Sequence, residues 1–280
     1  MNNFATNLKN RRLELGISQD ELAQRLGYKT RSSINKIEKG INDVPRKKVD
    51  DFADALQTTP AALLGWEAAP APILPPSASY DLKALEDRLR RLGYDCALFE
   101  TAAAASNYVI NRCKGKTVGF GDSATCVQMG IFDKIKETHA PEDVFISSYR
   151  QNKETGKKAI TADIFITTIN GVSYETGEMV MLANRGSRIA GALYYPDEAI
   201  FLVSRNKIVP DLAAALHRLK NHFAATYSKA LGHDNPCTET GKCPGICNSQ
   251  DTVCYFTTIF HKPEKLLHST VILINEDLGY

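Results

Sequence analysis

The 280-residue sequence has no apolar run approaching the ~18 residues of a membrane-spanning helix, so no span is expected. Its start, MNNFATNLKNRRLELG, lacks the continuous apolar core of a signal peptide, and a cytosolic protein is expected. It contains no Walker-type phosphate loop, no H-E-x-x-H pair and no recognisable Ser/His/Asp arrangement. Those absences remove the commonest nucleotide-hydrolase, zinc-protease and serine-hydrolase signatures while leaving other catalysis open. There is little charge imbalance either. The net charge of +2 is too small to argue for nucleic-acid binding. Residues 1–65 do hold 11 Lys and Arg against 8 Asp and Glu, a weak concentration of basic charge. The six histidines form no ligand spacing. Seven cysteines in a cytosolic chain do not read as a disulfide framework, but four of them crowd into residues 237–254.

What is present begins with helical punctuation. Phe4, Leu8, Arg11, Arg12 and Leu15 form a stripe at helical spacing that ends at Gly16. Ser18 and Glu21 make a capping box that opens a second helix through Leu22, Ala23 and Leu26, closed by Gly27. Thr30 can cap a third, with Ile34 and Ile37 inward and Gly40 at its end. A fourth is expected from Pro45, burying Val49, Phe52, Ala53 and Leu56. A fifth is expected from Thr59-Pro60, carrying Leu63 and Leu64. The second and third helices with the turn at Gly27 make a helix-turn-helix. Arg31, Ser32, Asn35 and Lys36 then point outward with groups that can bond base edges or phosphates. Gln19, at the start of the second helix, is placed to grip a phosphate.

The stretch SQDELAQRLGYKTRSSINKIEKG, followed by a helix and TTPAALLGW, resembles the XRE (Cro/C1-type) family of bacterial and phage repressors over residues 4–66. The resemblance implies DNA contacts at Gln19, Lys29, Thr30, Arg31, Ser32, Asn35 and Lys36. It also implies double-stranded operator DNA as partner and a homodimer on paired half-sites. A five-helix bundle that binds a protein is the alternative. The domain is expected to span residues 1–66, and the proline-rich stretch EAAPAPILPPSASYD at 67–81 to be a linker.

Residues 82–280 alternate helical and strand patterns. Helices are expected at Leu82–Leu92, Ala102–Cys113, Cys126–Ile131 and Asp211–Thr226. Strands are expected at Cys96–Phe99, Thr117–Phe120, Asp163–Thr168, Ala199–Val203 and Val271–Ile274. Such alternation predicts an α/β domain with a substantially parallel sheet. A loop holding Gly119, Gly121, Asp122, Ser123 and Thr125 joins a strand to a helix, as anion-binding loops do. The same two glycines would serve a tight turn equally well.

The segments TVGFGDSAT (117–125), ADIFITTINGVSYETGEMV (162–180), GSRIAGALYYPDEAIFLVSRNKIV (186–209), the cysteine segment and the closing NEDLGY resemble the LUD domain of lactate-utilization proteins. The resemblance implies a Rossmann-like, CoA-transferase/NagB-like α/β fold with a ligand cleft. It adds Asn170, Glu175, Gly177, Asn206 and Lys207 as walls of a small-molecule site. Glu175 could act as nucleophile or base, or be an ordinary loop glutamate, and no catalytic residue is assigned.

Cys237-x5-Cys243-x3-Cys247-x6-Cys254 places four thiols among turn residues, a set that suits zinc or an iron–sulfur cluster. The spacing matches no standard zinc finger, and LUD proteins with the same TGKC kernel usually have two residues between the middle cysteines, not three. Four free thiols or a reversible disulfide are the other readings. Cys96, Cys113 and Cys126 lie on apolar faces and are expected in the core. The expected function is a transcription regulator, a repressor, whose second domain senses a small molecule, metal or redox state. The alternatives are a CoA-transferase- or isomerase-like enzyme with a regulatory head, and a lactate-utilization accessory protein.

Overall fold

In the computed structural model the described residues are 3–28, 30–42, 44–45, 48–56, 58, 63, 80–121, 123–147, 153–245 and 247–280. Lys29, Asp122, most of the expected fifth helix and most of the expected linker lie outside them. The chain divides into two compact units, Met1–Pro72 and Ile73–Tyr280.

The first unit is helical: α1 Asn3–Glu14, α2 Gln19–Arg25, α3 Arg31–Glu38 and α4 Val49–Ala55. Ser18 caps α2 through its hydroxyl, which accepts from the Glu21 amide at 3.1 Å. Only that half of the expected box is present, because the Glu21 carboxylate turns forward to Arg25. Thr30 takes the N-cap position of α3 with extended backbone but makes no side-chain capping bond. Regular helix begins at Val49 and not at Pro45, whose carbonyl accepts a turn bond from the Lys48 amide. Leu8, Leu22, Ile34, Phe52 and Leu56 are fully buried, and Phe4 meets Phe52 edge-on at 5.9 Å. The burial of such side chains contributes about 1.5–3 kcal/mol each. Inside this core Arg12 forks onto Glu38, with Nε to Oε1 at 2.6 Å and Nη2 to Oε2 at 3.1 Å, tying α1 to α3.

The second unit opens with α5 Leu82–Leu92, β1 Asp95–Phe99, α6 Ala102–Cys113 and β2 Val118–Phe120. It continues through α7 Ala124–Met129, α8 Ile131–Lys136, β3 Val144–Ile146, α9 Lys153–Ile160 and β4 Ile164–Thr168. Then come β5 Gly171–Ser173, β6 Met179–Ala183, α10 Ser187–Leu193, β7 Glu198–Ser204 and β8 Ile208–Val209. The last elements are α11 Leu212–Arg218, α12 Ala224–Ala230, α13 Pro236–Thr240, β9 Phe256–Phe260 and β10 His268–Ile274. The helix expected over Cys126–Ile131 is two helices, broken by the left-handed Gly130 at φ +60°. The helix expected over Asp211–Thr226 is α11 and α12 joined by a wide π turn at Leu219–Phe223.

Six strands form a parallel sheet in the order β1-β10-β7-β4-β2-β3. Their apolar runs are buried on both faces, as parallel strands between layers must be. Residues alternate strictly: Phe165, Phe201, Val203, Val271 and Leu273 face one core, while Ile164, Ile166, Ile200, Leu202 and Ile272 face the other. The second face is covered by α6, α7 and α8 through Val109, Met129 and Ile135. The first is covered by α5 and α10 and by a smaller mixed sheet of order β8-β5-β6-β9. That smaller sheet turns Val180 and Leu182 the other way, onto α11 and α12. Gly119 lies inside β2, where a Cβ would sit 1.8 Å from the Ala159 carbonyl oxygen, so the close approach of α9 requires a glycine.

Candidate nucleic-acid face and ligand cleft

On α3, Ile34 and Ile37 are buried, and Thr30, Arg31, Ser32 and Lys36 are exposed with Asn35 half-buried beside them. Positions 31, 32, 35 and 36 share one side of a 3.6-residue helix. Arg31 makes only a loose contact with Asp20, 3.8 Å apart with both side chains exposed, so it stays available to a partner. Gln19 is half-buried, its amide nitrogen donating to Glu38 at 2.8 Å. The Arg12–Glu38 pair thereby fixes Gln19 as well as α3. Arg12 stood in the sequence only as a member of the α1 stripe and Glu38 did not stand out at all, because a pairing across 26 residues leaves no periodic trace.

In the second unit a cleft of about 370 Å³ opens beyond the carboxyl ends of the parallel strands. The chain leaves β2 towards β3 and leaves β4 towards β7, on opposite sides, so a crevice forms between the two departing loops. Ser123 reaches it from the loop after β2, Thr125 from the first turn of α7, Thr168 from the end of β4, Asn170 from the β4–β5 turn, and Lys207 from the loop after β7. The Ser123 and Thr168 hydroxyls lie 2.8 Å apart. Lys207 donates from Nζ to Thr125 Oγ1 at 2.7 Å and is only 1% exposed. Burial, with Arg218 and Arg188 nearby, pushes its ammonium down to about 7. Arg218 donates to the Asn170 carbonyl at 2.6 Å and the Asn206 carbonyl at 3.1 Å, holding two of the cleft loops together. Burial pushes it down to about 10.

Asn206 does not line the cleft among the described residues; its amide oxygen accepts from the Leu278 amide at 3.4 Å. Gly279, at φ +66°, comes so close that a Cβ would meet Thr125 Oγ1 at 2.4 Å. Gly119 and Gly121 also stand outside the lining, the latter against Thr167 and Arg188. Glu175 is exposed and Gly177 packs on Leu92, both at the β5–β6 turn and apart from the cleft lining. The walls that the sequence did not indicate include Gln128, Thr168, Arg188, Phe223, Tyr227 and Tyr280. Arg188 donates to the Thr168 carbonyl at 2.8 Å and to its hydroxyl at 3.0 Å.

Cys96, Cys113 and Cys126 are buried as core residues, and burial pushes the Cys96 and Cys113 thiols up to about 12. Cys237 is buried, whereas Cys243, Cys247 and Cys254 are half-buried, and none is in a disulfide. Burial raises the Cys237 thiol, and Cys247 and Cys243 are near enough to raise it further. Among the described residues no three His, Cys, Asp or Glu side chains are gathered as a metal ion would need. As placed, the four thiols do not fit a zinc or iron–sulfur centre.

A small helical unit with an exposed, polar third helix and a doubly covered parallel sheet with a cleft at its carboxyl edge define two familiar classes of domain. A family model described as "LUD domain" matches residues 82–274, and one described as "Helix-turn-helix" matches residues 8–63. The chain belongs to the LUD domain family and carries an XRE-type helix-turn-helix at its N-terminus, of the kind found in transcription regulators. Among solved structures it is similar to a DUF162 family protein from Deinococcus radiodurans, at 17% identity and TM-score 0.41, over 69% of this chain and 96% of that one. The restriction-modification controller protein C.AhdI from Aeromonas hydrophila is 32% identical over 21% of this chain and 86% of its own, with TM-score 0.21. An HTH_3 family transcriptional regulator from Vibrio cholerae is 26% identical over 24% of this chain and 36% of its own, with TM-score 0.22. No curated protein matches. No helix among the described residues is long and apolar enough to cross a membrane.

Proposed function

We propose that the protein is a transcription regulator that reads duplex DNA through α3 and changes that binding when a small molecule occupies the cleft of its LUD domain. The observation that carries the reading is the row Arg31, Ser32, Asn35 and Lys36 on the open side of α3, held against the core by Ile34 and Ile37. Such a row matches what a major groove requires: long donors for guanine and an amide for adenine, with cations for phosphates. Gln19, Lys29 and Thr30 complete the proposed contact set. The protein binds as a homodimer on half-sites about one helical turn apart, since paired heads multiply a modest single-head affinity. Coupling of ~1–3 kcal/mol between cleft and DNA would change operator affinity about 5–150-fold. The fold of the second domain, with a crevice at the switch point of a parallel sheet, supports the Rossmann-like, CoA-transferase/NagB-like reading, with Ser123, Thr125, Asn170 and Lys207 as the ligand residues.

The test is selection from a random duplex library by the full chain at ~150 mM salt, where specific and non-specific binding separate. Enrichment of a two-fold symmetric site, lost in the Arg31→Ala/Asn35→Ala/Lys36→Ala variant, is expected. No enrichment would overturn the reading.

The cysteine segment supports a second, narrower reading as a reversible redox element, because its four thiols stand free within residues 237–254, three of them only half-buried. Metal analysis with a visible spectrum on anaerobically purified protein separates iron, zinc and free thiols.

A further inference from the structure

Lys207 carries an ammonium on a side chain that is 1% exposed, yet among the described residues no carboxylate forms an ion pair with it. An ammonium has three donors. The hydrogen bond that the structure shows is to Thr125 Oγ1, a neutral acceptor. Burying a charge without a counter-ion is costly, and here two guanidinium groups, Arg188 and Arg218, add to the local positive field, which the Cys126 thiol on α7 opposes less strongly. Among the described residues the Lys207 ammonium has no carboxylate partner, and an anion entering the cleft would supply that negative charge. The same cleft is also lined by the apolar surfaces of Phe223, Tyr227 and Leu231. It is shaped by the π turn at Leu219–Phe223, a distortion of the kind that recurs at functional sites. The cleft volume of about 370 Å³ lies at the small end of ligand pockets, which run roughly 300–1,000 Å³.

We propose that the cleft takes a small organic anion whose carboxylate or phosphate head pairs with Lys207 and bonds Thr125 and Ser123, and whose apolar body lies on Phe223 and Tyr227. The inference rests on the cleft being the effector site and names the chemistry of that effector. Because burial and the two guanidinium groups hold the Lys207 ammonium down to about 7, an anion that pairs with it binds together with a proton. Affinity is therefore greatest at and below neutral pH. Above it affinity falls by up to tenfold per pH unit, until the raised value of the complex is reached.

The experiment measures thermal unfolding and calorimetric binding of the full chain with benzoate, hexanoate and phenyl phosphate, each at pH 6, 7, 8 and 9. Benzamide and hexanamide serve as neutral counterparts, and inorganic phosphate as a head without a body. Saturable binding of one or more of the three organic anions, absent for the amides and weakening from pH 7 to 9, is expected. A response to phenyl phosphate alone assigns a phosphate head, and a response to the carboxylates assigns a carboxylate. Lys207→Met should abolish the response while the ligand-free variant melts at or above the wild-type temperature, so lost binding is not lost folding. Three results would overturn the proposal: equal binding of amide and acid, binding by inorganic phosphate alone, or no response to any probe. Duplex affinity is read separately. An anion that binds at Lys207 without changing it would leave this inference standing and remove the sensing role.

Discussion

Replacing Glu38 by glutamine tests whether the reading helix is held by a buried charge pair. Arg12 and Glu38 have side chains only 9% and 3% exposed, and Arg12 spends a further donor on the Ile17 carbonyl at 2.8 Å. Glu38→Gln keeps the shape but leaves the guanidinium buried and uncompensated, which costs about 3–5 kcal/mol. Against a domain stability of ~5–15 kcal/mol that is a large share. For a unit of this size it corresponds to a drop of roughly 12 °C or more, at about 4–8 °C per kcal/mol. The assay is urea and thermal unfolding of the full chain followed by circular dichroism and fitted as two transitions, because two units need not unfold together. The double variant Arg12→Met/Glu38→Leu removes both charges and should recover most of the loss, since apolar pairs replace buried ion pairs at little cost or with gain. A Glu38→Gln loss below ~1 kcal/mol, or additive single losses in the double-mutant cycle, would refute the reasoning.

Further outcomes follow from the same structure. Lys36→Ala, on the exposed side of α3, should weaken duplex binding across sequences and reduce the slope of log affinity against log salt by about 1, measured by fluorescence anisotropy. Gly119→Ala should destabilise the second unit by at least about 1–3 kcal/mol in denaturant titration, because the new Cβ meets backbone 1.8 Å away. Asp163 is held below the ordinary carboxylate range chiefly by the Thr117 amide at 2.8 Å. Its folded value is depressed, so its contribution is full above an unfolded value near ~3.9 and lost as pH falls through the folded one. The melting-temperature gap between wild type and Asp163→Asn should therefore be constant above about pH 5 and close towards lower pH.

Much of this architecture could be read from residue order, for reasons visible element by element. Ser18, Gly27 and the Ile34/Ile37 pair punctuate local structure, so α2 and α3 were legible. β4, β7 and β10 announce themselves as apolar runs because both their faces are covered. The small sheet was not legible. β5 and β8 have three and two residues, and β6 pairs with β9 from the far end of the domain, so their identity comes from partners and not from local pattern. In the cleft, Ser123, Thr125, Asn170 and Lys207 came from one glycine loop and a family resemblance. Arg188, Phe223 and Tyr227 arrive by tertiary packing: α10 is too short to show a polar face, and the π turn re-aims two aromatics that a regular helix would place otherwise. Glu175 and Gly177 share the family's sequence neighbourhood yet fall at a turn beside α5.

The central claim is that α3 reads base sequence, and it is tested most directly by one ratio. The dissociation constant of the full chain for its selected duplex, divided by that for Asn35→Ala at the same salt, isolates a single proposed base contact. A lost bidentate contact of ~1–3 kcal/mol predicts binding weakened about 5–150-fold on the selected site, with affinity for unrelated duplex nearly unchanged. Equal affinities of wild type and variant for the selected site would contradict the account.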